Sequence, residues 1–215
     1  MKTIIYTSLL MLIICSCKQN KEDDFFSDPA AVSKTELKPY VQFKEELKSF
    51  KGNLTEKQNR FFTYINSDIP NYWIGTKWDF NGTTQQPKKG TIACGYFVTT
   101  VLDDFGIKLK RIYLAQQASA VLVSKLCKKN SIKTFSSIEQ VESYLKNNSQ
   151  HEIYIVGLDF HTGFIIRDND KNYFLHSNYI NREGVVKEEL RNSKALSASK
   201  LYVIGSLSQN EEIFK

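Results

Sequence analysis

The chain has 215 residues, a net charge of +6 and a hydrophobic fraction of 41%. This length leaves room for one domain of ordinary size with a real core. The positive excess is modest and evenly spread, which argues against a nucleic-acid-binding protein but suits an anionic polymer such as a cell wall.

The first residues predict a targeting segment. Lys2 provides a short basic start, and the apolar run from Ile4 to Cys15 is too short to span a bilayer as a helix, which is typical of a signal-peptide core. The tetrapeptide Ile14-Cys15-Ser16-Cys17 resembles a lipobox, the cleavage signal of bacterial lipoproteins. We therefore expect residues 1–16 to be a signal peptide and Cys17 to carry the lipid. An ordinary secretory peptide cut nearby is the alternative.

Residues 17–30 are mostly polar and lack periodicity, which predicts a flexible tether. Residues 31–71 predict an N-terminal helical segment that leads into the main domain, residues 72–215. The first helix of the N-terminal segment is indicated by an apolar stripe, formed by Tyr40, Phe43, Leu47 and Phe50. Thr55 and Gln58 have the spacing of a capping box for a second helix, and Pro70 predicts its end.

The next predicted helix carries a cysteine at its start. Apolar residues recur at helical spacing from Ala93 to Phe105, directly after a loop, and Gly106 stands where the helix would end. Cys94 therefore lies in the first turn, where unpaired backbone N–H groups and the positive end of the dipole favour a thiolate. A buried cysteine that only fills space is the alternative.

Two more helices and then strands follow. Arg111 to Cys127 has the helical period, and Ser136 with Glu139 predicts a capping box that opens a helix through Leu145. From His151 onward the pattern alternates with a period of two. The predicted strands are Glu152–Leu158, Thr162–Arg167, Tyr173–Asn178, a short one from Val185 and a last one over Leu201–Ile204. Helices followed by an antiparallel β-meander predict an α+β fold.

Two of the three histidines lie in the meander, on strands joined by the predicted Asp168–Asn172 turn. Counting back from that turn places His161 and His176 near the same end of the hairpin. Together with Cys94 they form a thiol-nucleophile arrangement in which His161 holds the thiolate as an ion pair and later protonates the leaving amine. His176 would orient His161, and Asn178 is an alternative for that role.

Other interpretations of these side chains are less favoured. Cys94, His161 and His176 could bind zinc, but no closely spaced pair of ligands exists to nucleate a site. Each histidine alone could be structural. Cys94 and Cys127 could form a disulfide in an exported protein. We do not expect one, because nothing in the sequence places the two cysteines side by side.

Four segments in order resemble motifs of the NlpC-type cell-wall peptidases, a family of papain-like bacterial endopeptidases. Gly75 to Gly82 (Gly-Thr-Lys-Trp-Asp-Phe-Asn-Gly) resembles the Gly-x-x-Tyr-x-x-Gly-Gly entry motif, and Cys94-Gly-Tyr-Phe-Val resembles the nucleophile motif Asp-Cys-Ser-Gly-Phe-Val. His161-Thr-Gly-Phe-Ile resembles the His-Val-Gly-Ile strand of the base. Phe174-Leu-His-Ser resembles the Phe-Ile-His-Ala strand of the third triad member. The resemblance covers about residues 75–177.

The resemblance implies a papain-like fold that needs no metal or organic cofactor, with Cys94 as nucleophile, His161 as base and His176 as orienting group. It also implies substrate-binding positions, which are Trp78, Asp79, Gly95 and Asn178. Trp78 replaces the tyrosine of the entry motif. Ala93 and Gly95 stand where the family usually has Asp and Ser, which in some members help bind the free amine of the stem peptide. A different amide in peptidoglycan, or another peptide or acyl substrate, is therefore open.

The leading hypothesis is a cysteine hydrolase that cuts an amide bond in peptidoglycan through a thioester intermediate. We expect it to be lipid-anchored in the bacterial cell envelope, at the periplasmic or surface face of the outer membrane. Two alternatives stay open. One is a wall-binding or partner-binding lipoprotein that has lost the chemistry. The other is an acyl or amide transferase that uses the same nucleophile.

Overall fold

The structure, a computed structural model, describes residues 37–215, in which six of the helices listed below precede a six-stranded sheet and two lie between its strands. The helices are α1 (Tyr40–Ser49), α2 (Leu54–Thr63), α3 (Ile69–Trp73), α4 (Cys94–Phe105), α5 (Arg111–Ala115), α6 (Ser119–Leu126), α7 (Ile138–Lys146) and α8 (Lys194–Ser197). The strands are β1 (Lys133–Phe135), β2 (His151–Gly157), β3 (Thr162–Asp168), β4 (Lys171–Asn178), β5 (Gly184–Glu189) and β6 (Tyr202–Ser206).

The sheet has the strand order β1-β6-β2-β3-β4-β5, and every neighbouring pair is antiparallel. Strands β2 to β5 follow one another in sequence and in space, so the predicted meander is present and the α+β class is confirmed. The short strand β1 was not predicted, because three residues are too few to show a period of two.

Both faces of the sheet are covered, which explains why its central strands read as continuous apolar runs. Helices α1 to α4 and α6 pack on one face, where Phe97 of α4 lies among the buried residues together with Ile155 and Phe164. Helices α7 and α8 pack on the other face around Tyr154 and Ile165. Adjacent residues of β2 and β3 thus point to opposite faces, as the pleat requires.

The helical segment before Cys94 differs from the prediction in two details. The capping box of α2 is formed by Asn53 and Glu56, rather than by Thr55 and Gln58, because the helix begins earlier at Leu54. Pro70 does not end a helix. It lies in the first turn of α3, where a missing backbone N–H costs nothing, and a π-helical turn over Tyr64–Asp68 joins α2 to α3.

The later helices also differ in their ends. The predicted helix over residues 111–127 is two helices, α5 and α6, with a break between Ala115 and Ser119. The cap of α7 is Ser137, whose hydroxyl accepts from the backbone N–H of Gln140, one residue beyond the predicted Ser136. The break between α5 and α6 is important for the site, because its residues line the cleft beside Cys94.

The described part of the N-terminal helical segment shares its core with the main domain. The Tyr40 hydroxyl donates to a carboxylate oxygen of Asp104 on α4 at 2.7 Å and accepts from the Trp73 indole at 2.8 Å. Lys44 also lies 3.1 Å from Asp104. Residues from Lys38 to Lys215 thus form one compact unit that includes the helix bearing Cys94.

The predicted signal peptide, the tether and the lipid site Cys17 lie outside the described residues. Between residues 37 and 215, none of the helices combines the length and the apolar character needed to cross a bilayer.

Candidate active site

Cys94 is the first residue of α4, as predicted, and it is half-buried. Ala93 precedes it in an extended conformation and offers no side chain to cap the helix, so the first backbone N–H groups of α4 have no side-chain partner. The loop before the helix is held by two isolated bridges, Lys77 with Thr91 and Thr83 with Ile92. The position of Cys94 is therefore fixed, with helix N–H groups around it.

The surroundings of Cys94 act on its thiol in two opposite ways. Burial raises its pKa above the ordinary value, although the backbone N–H groups of Thr162, Gly95 and Cys94 itself act in the opposite direction. These three N–H groups lie near the sulfur, which is where an anion would be stabilised. Burial thus opposes the predicted thiolate–imidazolium pair, whereas the backbone N–H groups favour its anion.

Three side chains form a hydrogen-bonded row beside the thiol. His161 Nε2 lies 2.7 Å from His176 Nδ1, and His176 Nε2 lies 3.0 Å from a carboxylate oxygen of Glu188. Both histidines are buried. The remaining ring nitrogen of the row, His161 Nδ1, is buried and has no hydrogen-bond partner. The predicted contact between the two histidines is therefore present, and Glu188 extends it.

The sheet register explains why these residues meet. His176 of β4 pairs with Val186 of β5, and Phe174 pairs with Glu188, so His176 and Glu188 are diagonal neighbours on one face. The Phe174 ring stacks on the His176 ring, with centroids 4.0 Å apart. Gly163 of β3 leaves room for this stack, because a Cβ there would lie 2.7 Å from the Cβ of His176.

The hydrogen-bond row sets the tautomers of both histidines. Burial alone would raise the pKa of Glu188, but hydrogen bonds from His176 and Ser193 outweigh it, so the pKa is lowered and Glu188 is an anion that only accepts. Burial lowers the pKa of His176, and burial together with His176 lowers that of His161 well below the usual value. Neutral His176 therefore donates through Nε2 and accepts at Nδ1.

It follows that His161 donates through Nε2 and keeps a lone pair on Nδ1. An imidazole with a free lone pair at an otherwise unpaired nitrogen is a general base. The arrangement of charges and donors thus prepares His161 to take a proton from a group in the cleft.

The cleft consists of two pockets that share Cys94 and His161. The first, called the aromatic pocket below, has a volume of about 670 Å³. Its aromatic lining residues are Trp78, Phe80, Tyr96, Phe160 and Tyr179. The second pocket has a volume of about 440 Å³ and extends over the start of α6, past Ser119. A substrate chain can therefore extend in two directions from the thiol.

The structure separates the predicted substrate-binding residues into two groups. Trp78 and Gly95 line the aromatic pocket. Asp79 is not among its lining residues, and its carboxylate accepts from the backbone N–H of Asn81 in a local turn. The Asn178 side chain bonds to Glu183 and to the backbone N–H of Ile180, so it stabilises the turn after β4 instead of orienting His161.

Neither alternative based on the cysteines is supported. Within residues 37–215, no group of three or more His, Cys, Asp or Glu side chains is arranged to hold a metal ion. Cys94 and Cys127 both carry free thiols. Burial raises the pKa of Cys127 to about 12, which is typical of an inert thiol in a core.

Three features of the site were missed from the sequence. Glu188 lies on β5, whose pairing register depends on the turn after β4. Phe160 and Phe80 lie on loops, where a hydrophobic residue has no periodic signal; they are 94% and 78% exposed. A large exposed aromatic beside a candidate base, as in Phe160-His161, is the one signal that could have indicated the rim of a cleft.

Comparisons of the chain with protein-family models, with curated proteins and with solved structures gave no match. The functional interpretation therefore depends on the geometry of Cys94, His161, His176 and Glu188 and on the chemistry that these groups can perform.

Proposed function

We propose that the chain is a cysteine hydrolase with a papain-like fold of the NlpC type, and that it cleaves an amide bond in peptidoglycan as a stem-peptide endopeptidase or an amidase. The observation that carries this proposal is the row from His161 through His176 to Glu188, in which His161 has an unpartnered ring nitrogen and lines the same cleft as Cys94. A purely structural pair of buried histidines has no need to keep that nitrogen unpaired.

The reaction begins when the substrate carbonyl approaches Cys94 and His161 Nδ1 takes the thiol proton. The sulfur then forms a bond to the carbonyl carbon, and the negative charge that develops on the oxygen is stabilised by the backbone N–H of Cys94. Because both groups are neutral before the substrate binds, the thiolate forms only as it is needed.

The tetrahedral intermediate collapses to a thioester as the carbon–nitrogen bond breaks. His161 returns its proton to the leaving amine, and it then takes a proton from a water molecule that hydrolyses the thioester and restores the thiol. While His161 is positively charged, its Nε2–H donates to His176, and the anionic Glu188 at the end of the row offsets the charge. The reaction needs no metal or organic cofactor.

The proposal includes a lipid anchor on Cys17 that holds the enzyme at a bacterial membrane of the cell envelope, beside its substrate. Its support is the lipobox-like sequence before Cys17. A Cys17→Ser variant expressed in a bacterium should lose incorporation of radiolabelled palmitate and should leave the membrane fraction. Equal labelling of the variant and the wild type would contradict the proposed lipid anchor on Cys17.

The experiment that tests the hydrolase is mass spectrometry of purified peptidoglycan after incubation with the full-length chain, beside its Cys94→Ala variant. New muropeptides from the wild type alone would support the enzyme and identify the bond. New muropeptides in equal amount from Cys94→Ala would exclude Cys94 as the nucleophile.

A wall-binding lipoprotein without activity is the second candidate, and the raised pKa of Cys94 favours it. Such a protein would sediment with insoluble peptidoglycan equally well as wild type and as Cys94→Ala, and neither would release a product.

Added amine acceptors would identify a transferase, because the acyl group would then appear on the amine instead of on water.

A further inference from the structure

The aromatic pocket beside Cys94 has an unusual lining for a site that binds a peptide of the cell wall. None of the described residues that line it is an Asp, Glu, Lys or Arg. Its polar groups are neutral side chains, namely Asn81, Thr83, Gln116 and Gln117, together with Cys94 and the neutral His161. A charged group that entered this pocket would lose part of its hydration and meet no charged side chain in the lining; the nearby Arg111 guanidinium lies behind the wall, over the Tyr96 ring and bonded to the Thr83 carbonyl.

Positions 93 and 95 show how the neutral lining is built. Ala93 is the residue before α4 and lines the pocket with a methyl group only. Gly95 cannot carry a larger side chain, because a Cβ there would collide with the carbonyl oxygen of Ala115. The close approach of α4 to the end of α5 therefore keeps polar side chains out of this part of the cleft.

The rim and base of the pocket suit an apolar group with one acceptor. Phe80 and Phe160 are 78% and 94% exposed, and covering such rings stabilises a complex in proportion to the apolar area removed from water. The indole N–H of Trp78 is buried and has no hydrogen-bond partner. An indole N–H only donates, so it lacks an acceptor such as the carbonyl oxygen of a bound amide.

We propose that the aromatic pocket takes an uncharged, apolar side chain or acyl group next to the scissile bond, with Trp78 donating to a carbonyl of the same ligand. This inference deepens the proposed function and depends on it. It selects neutral amides over those that carry an ammonium or a carboxylate at that position, by at least tenfold, since a charge would lose hydration against the aromatic rings without gaining a charged partner in the lining.

The test uses two series of peptide amides and the purified full-length chain. In each series one residue is norleucine, lysine or glutamate, either on the carbonyl side or on the amine side of the scissile bond. We expect one series to show at least a tenfold higher kcat/KM for norleucine, which also identifies the side that the aromatic pocket serves. Equal rates for all three residues in both series would overturn the inference and leave the hydrolase intact.

A charge placed in the pocket should reverse the preference. Aspartate at position 93 is a favourable helix cap, so Ala93→Asp is expected to fold. It should raise kcat/KM for the lysine substrate relative to norleucine by at least tenfold. Gln85→Asp is the matched control, because Gln85 is exposed and does not line the pocket. In this control, kcat/KM for the lysine substrate relative to norleucine should equal that of the wild type. An unchanged ratio in Ala93→Asp would contradict the assignment.

A separate measurement distinguishes failure of this inference from failure of the hydrolase. Chloroacetamides that carry the same three side chains alkylate Cys94 without any turnover, and mass spectrometry gives the rate. Faster alkylation by the norleucine probe, with no hydrolysis of any amide, would support the pocket preference and contradict the proposed hydrolase. Equal alkylation by all three probes would overturn the pocket preference.

Discussion

The two histidines of the site have different environments although they touch. His176 uses both ring nitrogens, one toward His161 and one toward Glu188, whereas His161 uses only Nε2. A group with both nitrogens bonded can hold a ring in place, and a group with a free lone pair can accept a proton. The division between positioning residue and base thus follows from the hydrogen bonds alone.

The charge of Glu188 should matter for turnover. Glu188→Gln keeps the size of the side chain and an oxygen that accepts from His176, but it removes the negative charge that offsets the imidazolium. We expect kcat to fall by about ten- to a hundredfold, with little change in KM. Because Glu188 raises the pKa of His176, the acid limb of the pH profile should move to lower pH in the variant.

The matched control is Glu189→Gln, which alters the exposed neighbour on the same strand. Its kcat and pH profile should equal those of the wild type. A Glu188→Gln variant with the same kcat and acid limb as Glu189→Gln would show that the carboxylate has no part in the reaction.

His161 should also make the stability of the fold depend on pH. Its pKa in the folded chain is lowered well below 6.5, so below pH 6.5 the unfolded chain binds a proton that the folded chain does not. The free energy of unfolding must therefore fall as the pH falls, by up to about 1.4 kcal/mol per pH unit for one proton.

Urea denaturation at pH 7.5 and pH 5.5 measures this effect. Between these values the wild type should lose about 1 kcal/mol more than His161→Gln, which has no group that titrates at this position. Equal losses in the two proteins would mean that His161 is protonated equally in the folded and unfolded chains. Other buried groups, such as Glu152 and Asp104, also make the free energy of unfolding depend on pH. Their contributions are the same in both proteins and cancel when the two losses are subtracted.

At the scale of elements, the capping box of α2 gives a clear test of local energetics. The Asn53 side chain accepts from the backbone N–H of Glu56, and the Glu56 carboxylate accepts from the backbone N–H of Asn53. Asn53→Ala should lower the free energy of unfolding by about 1 kcal/mol. Thr55→Ala, an exposed change within the helix, should alter it by less than about 0.5 kcal/mol. Chemical denaturation would measure both, and a larger loss for Thr55→Ala would favour the cap predicted from the sequence.

The elements that could be predicted are those whose signals are local. Helix α4 has an apolar period and ends at Gly106, whose φ of 100° few other residues adopt. The pairing of His161 with His176 could be predicted as well, because the tight turn at Asn169 fixes the register of the β3–β4 hairpin.

Glu188 could not be predicted, and the reason is the connection that precedes its strand. The chain between β4 and β5 contains two consecutive non-glycine residues with positive φ, Asn181 and Arg182; Asn often adopts this conformation, but for Arg182 no sequence rule anticipates it. Without that turn the register of β5 is unknown, and a shift by one residue would point Glu188 to the other face. The break between α5 and α6 was missed for a similar reason, since no glycine or proline marks it.

At the scale of the whole molecule, the N-terminal helices and the helix of Cys94 are joined by a buried polar network. The Tyr40 hydroxyl bridges the Trp73 indole and the Asp104 carboxylate; Trp73 and Asp104 are buried, and Tyr40 is half-buried. Burial raises the pKa of Asp104, although Tyr40 and Lys44 act against it. This network ties α1 to α4, so its loss should weaken the entire unit instead of one helix.

Tyr40→Phe should lower the free energy of unfolding by about 1–3 kcal/mol, because it leaves the Trp73 N–H and the Asp104 carboxylate without this partner. Unfolding should stay a single transition, with tryptophan fluorescence and circular dichroism giving the same midpoint. Tyr113→Phe is the control, since Tyr113 is 53% exposed, and it should change little. Two separate transitions in Tyr40→Phe would show that α1 unfolds independently.

The distribution of the site along the chain also bears on how the protein matures. Cys94 comes from a helix in the first half, whereas His161 directly precedes β3 and His176 and Glu188 lie on β4 and β5, later in the sequence. Contacts between such distant positions close late in folding, because the intervening loop must first lose its entropy. A partly folded chain therefore has a thiol without its base. The proposed hydrolase would therefore be latent during synthesis, and during refolding its activity should return only in the slowest phase.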